Sequence, residues 1–184
     1  MEQNQKCTCK YSESCTAEQE SDFVWACQKG DMDKMTQLFN NGACVNSQSM
    51  YGSGTLYGAI FSKNIEAVKL LIELGVDINR EDRVLQAPIG VAIEMASIDI
   101  TKLLIESGCE INYEKRRGLV SHYVSIMDAI ITCNSHNRSA AEECLRLIID
   151  AGLDIDKSLR DMSHLNCSDE NIIKILMDNQ LNKH

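Results

Sequence analysis

The stretch AIFSKNIEAVKLLIELGVDIN, residues 59–79, returns 33 residues later as AIEMASIDITKLLIESGCEIN, residues 92–112. In each, apolar residues recur at helical spacing: Val68, Leu71 and Ile72, then Ile100, Leu103 and Leu104. Each run stops at a glycine, Gly75 or Gly108, followed by the pattern x-x-Ile-Asn. A helix commonly ends where one residue turns left-handed, and glycine does so without a steric penalty. Upstream, ACQKGDMDKMTQLFNNGACVN, residues 26–46, keeps the register. Gly42, Gly75 and Gly108 fall 33 apart, as do Asn46, Asn79 and Asn112. A fourth copy, residues 129–156, ends at Gly152, which lies 44 residues after Gly108. About four of the 11 surplus residues precede Ile126, in RGLVSHYVS, and seven lie between Ala129 and Gly152, around TCNSHNRSA.

Each copy reads as a helix, a tight turn, a second helix and an extended excursion. One such pair cannot bury its own apolar face, so the copies must stack into a continuous core. The period, the helix pair and the closing Gly-x-x-Val/Ile-Asn resemble the ankyrin-repeat family. Its Thr-Pro-Leu-His-x-Ala signature survives in worn form, as Gly54-Thr55-Leu56-Tyr57-Gly58-Ala59 and Ala87-Pro88-Ile89-Gly90-Val91-Ala92. Gly30-Asp31 matches the family's inter-helix turn. The signature histidine is replaced in every copy, by Val24, Tyr57, Gly90 and Met127. The resemblance implies an all-α solenoid of stacked helix-turn-helix repeats with short hairpin-like connections. The expected organisation is a flexible arm over residues 1–20 and four repeats over 21–156 (21–46, 47–79, 80–112 and 113–156). One capping helix is expected within 157–184. In that tail Ser168 is the expected cap, with Ile172, Ile173, Leu176 and Met177 docking on the fourth repeat.

Composition excludes several classes. The chain has 184 residues, 44% hydrophobic, which is too apolar for a wholly disordered chain. No apolar run approaches the roughly 18 residues of a membrane span, and the start MEQNQKCTCKYSES lacks the apolar stretch of a secretory signal. The net charge of −9 opposes general nucleic-acid binding and suits a partner with basic residues. Nine cysteines without an export signal read as reduced thiols in a cytoplasmic compartment. Translocation into a host cell is compatible with this reading.

Candidate chemistry is sparse. Cys7, Cys9 and Cys15 form a C-x-C-x5-C cluster that matches no standard zinc module. Cys133 and His136 make one C-x2-H pair inside the fourth-repeat surplus, read as a polar surface loop open to protease at residues 133–139. Tyr51-Gly52-Ser53-Gly54-Thr55 lacks a phosphate-loop lysine and falls at a hairpin tip. Asp154 and Asp156 fall at a closing turn. No catalytic constellation assembles, and neither metal nor cofactor is expected.

What remains is a binding surface. The resemblance places it on the concave face, made of hairpin tips and the outer side of each first helix. Carried onto this chain, that gives Trp25, Gln28 and Lys29; Met50, Tyr51, Gly58, Phe61 and Ser62; Arg83, Val84, Val91, Glu94 and Met95; and Arg116, Arg117, Asp128, Ile131 and Thr132. The partner-binding set is Trp25, Lys29, Met50, Tyr51, Phe61, Arg83, Glu94 and Met95. The expected function is non-catalytic binding of a partner protein that carries basic residues around an apolar patch. An adaptor or scaffold, in the manner of a bacterial effector resembling eukaryotic ankyrin proteins, is the first reading. A stoichiometric inhibitor of immunity type that blocks a basic partner is the alternative. A small metal protein or enzyme built on the fourth-repeat surplus is the third. No nucleic acid or membrane is expected as a partner, and the oligomeric state is open.

Overall fold

A computed structural model describes residues 16–49, 54–80, 87–112, 114–117, 122–164 and 169–181. The chain divides into two compact units, residues 1–88 and 89–184.

The first unit holds α1 (Ala17–Lys29), α2 (Met32–Asn40), α3 (Thr55–Phe61) and α4 (Ile65–Glu73). α1 starts inside the stretch expected to be a flexible arm. Thr16 accepts a hydrogen bond from the Gln19 N–H, and the Gln19 side chain accepts one from the Thr16 N–H. This reciprocal pair satisfies donors that a bare helix start leaves open, and its T-x-x-Q spacing was legible in the sequence. α1 ends at Gly30, with φ 68°, and a Cβ there would collide with the Asn64 amide, which caps α4 by accepting from the Ala67 N–H at 3.0 Å. The core is built from Phe23, Met35, Ile60 and Leu71, all fully buried, and each such side chain contributes about 1.5–3 kcal/mol. Val24 is buried and Tyr57 half-buried at two of the signature-histidine positions. Consecutive copies are tied by a side chain. Asn46 Oδ1 accepts from the Asp77 N–H at 2.8 Å.

The second unit holds α5 (Pro88–Glu94), which starts at the boundary, then α6 (Ile98–Glu106), β1 (Glu114–Arg117), β2 (His122–Ser125), α7 (Ile126–His136), α8 (Arg138–Asp150), α9 (Ile155–His164) and α10 (Glu170–Leu181). Pro88 opens α5, where its missing N–H costs nothing. The same tie recurs: Asn112 Oδ1 accepts from the Asp154 N–H at 2.8 Å, and its amide donates to the Gly152 carbonyl at 3.0 Å. The stacked helix pairs with short connections are the all-α fold the period predicts. β1 and β2 add one antiparallel ribbon, pairing Glu114 with Ser125 and Arg117 with His122.

Three expectations need correction here. The surplus around TCNSHNRSA is not a loop. It lengthens both helices by about a turn, to 11 residues in α7 and 13 in α8, against 7 in α5 and 9 in α6. Residues 133–136 close α7, and Asn137 caps α8 by accepting from the Ala140 N–H, so the expected loop is reduced to an exposed tight turn at residues 135–139. The tail forms two helices instead of one. Asp154, at the closing turn, caps α9, accepting from the Lys157 N–H at 2.9 Å. Ser168 lies outside the described residues, and Asp169 caps α10, accepting from the Asn171 and Ile172 N–H groups. Ile172 and Leu176 dock as expected, but Met177 is half exposed and Ile175 is buried instead. One hundred degrees per residue turns Met177 off the face that Ile172, Ile175 and Leu176 share.

Candidate protein-binding site

In the first unit α1 presents Trp25, Gln28 and Lys29 to solvent, and Trp25 is 61% exposed. The Lys29 ammonium lies 4.8 Å from the centre of the Trp25 ring. A cation over an indole face is held by the ring quadrupole, which restrains both side chains while leaving most of the ring open. On α3, Phe61 is 49% exposed and stacks on Tyr57, four residues earlier, with ring centres 6.0 Å apart and planes 14° from parallel. Both aromatic side chains are therefore held by a neighbour one turn away on their own helix. A rigid aromatic loses little entropy when a partner covers it.

Gly58 and Val91 do not belong to this surface. Trp25, Gly58 and Val91 occupy one register position in successive copies, yet the last two are buried. The reason is visible at Gly58. A Cβ built there would sit 3.4 Å from the Gln28 backbone nitrogen, so this position faces the preceding copy. Trp25 belongs to the first copy and stays 61% exposed. In the second unit Glu94 and Met95 sit on α5, each half-buried. Met50, Tyr51, Arg83 and Val84 lie outside the described residues.

Three of the buried thiols are hard to ionise. Burial pushes the Cys27 thiol up to about 12, and those of Cys109 and Cys144 up to about 11. Thiols so hard to ionise are poor nucleophiles and poor ligands. Cys133 is buried, while His136, three residues on, is exposed. Among the described residues no group of three or more His, Cys, Asp and Glu is placed to hold a metal ion. Cys7, Cys9 and Cys15 lie outside them. Asp154 caps α9, and Asp156 accepts from the Gln180 amide, so this carboxylate pair has structural partners. Among the described residues no helix is long and apolar enough to cross a membrane.

Comparison with known proteins decides the family. Residues 23–115 match the family model for ankyrin repeats, in three copies. The chain belongs to the ankyrin-repeat family. A fowlpox virus ankyrin repeat protein is 40% identical over 48 residues, 26% of this chain and 9% of that protein. A Rickettsia felis ankyrin repeat protein is 42% identical over 53 residues, 28% of this chain and 17% of that protein. The matched stretch thus spans less than a fifth of either relative. Ankyrin repeats are generally protein–protein interaction modules and typically non-catalytic.

Proposed function

We propose that this ankyrin-repeat chain is an adaptor that binds a partner protein through exposed aromatic side chains on the first helices of its repeats. The observation that carries this reading is the pair Trp25 and Phe61, 61% and 49% exposed and each braced by a side chain one turn away. A protein usually buries such groups. Lone exposed apolar residues are common, but braced aromatics on a rigid repeat face have the character of binding anchors. In the repeat register Met50, Tyr51, Arg83, Glu94 and Met95 extend the same set. The net charge of −9 favours a partner with basic residues around an apolar patch.

The test is affinity capture with the whole chain as bait, followed by titration of the captured protein. Phe61→Ala and the double change Trp25→Ala with Phe61→Ala should weaken binding, about thirtyfold for each true anchor, which is roughly 2 kcal/mol. Helical circular dichroism and melting temperature should not change, because neither side chain is in the core. Undiminished capture by the double variant would defeat the reading.

A further inference from the structure

Three register positions are buried or half-buried in copies two and three, and at the first of them Gly58 lies against Gln28 of the preceding copy. Copies two and three fill them with Gly58 and Val91, Ala67 and Ile100, and Leu70 and Leu103. The first four of these are buried and the leucines half-buried. In the first copy the same positions hold Trp25, Lys34 and Gln37, all exposed. These residues therefore mark a side of the first copy that no described copy covers. Lys34 and Gln37 follow the rule that a repeat face on which no neighbour packs is polar. Trp25 breaks that rule with the largest apolar side chain available.

The exposed line of α1 that contains Trp25 has a charge pattern. Asp22 lies three residues before it and Lys29 four residues after it, both exposed. Asp22 is beyond the first helical turn, so interaction with the helix dipole does not account for it. It has no ion-pair partner among the described residues. When two copies of such a helix run antiparallel across a two-fold axis, the residue k places before the centre faces the residue k places after it. Centred on Trp25, Asp22 of one copy falls level with Gln28 of the other and within one residue of its Lys29, and the reverse. Glu18, a further turn out, falls opposite the end of the partner's α1. The line is self-complementary in that arrangement: an aromatic pair at the centre and an opposite-charge pair on each side.

We propose that the chain forms a two-fold homodimer in which α1 packs antiparallel on α1 of a second copy, with Trp25 at the axis. The proposal rests on the reading of Trp25 as a protein contact and names its occupant. Thirteen residues make a helix of about 20 Å, so the α1 pair alone is a small interface. Contacts burying less than about 1,200 Å² are weak and reversible. A weak, concentration-dependent dimer is expected.

Sedimentation equilibrium of the whole chain over a wide concentration range tests this. The wild-type chain should shift from monomer to dimer as concentration rises, and Trp25→Asp should stay monomeric at every concentration. Asp22→Lys alone and Lys29→Asp alone should each associate at least about tenfold more weakly, since each places like charges face to face twice. Mixed together, those two variants should form a heterodimer, because their charges are complementary only to each other. A wild-type chain that stays monomeric overturns the proposal, as does a mixture that associates no better than its components. Helical circular dichroism of each variant identifies any loss of fold. The outcome is separable from that of the proposed function. Phe61→Ala should weaken partner capture without weakening the dimer, and a monomeric wild type would overturn the dimer while leaving the Phe61 test of capture standing.

Discussion

Asn46 and Asn112 carry the same task in different copies. Each amide oxygen accepts from a backbone N–H in the closing turn of the next copy, at 2.8 Å. Replacing Asn46 by Ala leaves the Asp77 N–H without that acceptor, at an expected cost of about 1–2 kcal/mol in urea denaturation. No change in stability would mean that water replaces the amide fully. Asp169 is the residue with a pH consequence. Its carboxylate accepts from the Asn134 amide at 2.9 Å and from the Ile172 and Asn171 N–H groups, and Arg138 lies 3.7 Å away. The Asn134 bond first, then the backbone bonds and the Arg138 charge, hold its pKa below the usual carboxylate value. A pKa depressed in the native state stabilises the fold fully above the unfolded value, about 3.9. That contribution is lost as pH falls from there through the lower native value. Melting temperatures taken downward from about pH 5 should therefore fall less steeply for Asp169→Asn than for the wild-type chain. Parallel curves would remove Asp169 from the acid response. The 33-residue spacing of the asparagines is plain in the sequence, but their bonds join residues 31 and 42 apart and need folded neighbours to exist.

At the scale of elements, helix identity was legible wherever an apolar stripe met a glycine stop. Gly42, Gly75, Gly108 and Gly152 all take positive φ, between 82° and 100°. Length was less legible. The fourth-repeat surplus, rich in Asn and Ser, carries turn-forming composition, yet α7 and α8 absorb it as added turns. Cys133, Ala140 and Ala141 bury the extension, and this packing outweighs the weak local preference. The tail shows the same limit. α9 places Ile155 and Ser158 inward from a segment dominated by polar residues, whereas the apolar run of α10 announces itself. Docking of α10 makes a paired prediction. Leu176→Ala, at a fully buried site, should cost about 2–5 kcal/mol. Met177→Ala, at a half-exposed one, should stay within about 0.5 kcal/mol. Equal effects in urea denaturation would mean that α10 docks by another face.

For the molecule as a whole, charge and burial divide the work. The net charge of −9 is the basis of the proposed preference for a basic partner, while the buried residues, including five cysteines, make the core. The high cysteine count thus has a packing account in the repeats, since a reduced thiol acts as a small apolar group. The homodimer proposed above belongs to this scale as well. Its evidence is the contrast between one exposed tryptophan and its buried counterparts in later copies.

Periodicity by itself determined the helix pairs, their turns and the repeat family, because those depend on local spacing and on backbone conformations that single residues favour. It also supplied the register in which Trp25, Gly58 and Val91 are equivalent. Only the tertiary structure decided that these equivalent positions differ in fate. Burial is a property of a residue and its neighbour together, and the first copy has no described neighbour on that side. For the same reason the exposed aromatic residues could be placed in the repeat from sequence, but whether each faces solvent or an adjoining repeat was settled by packing.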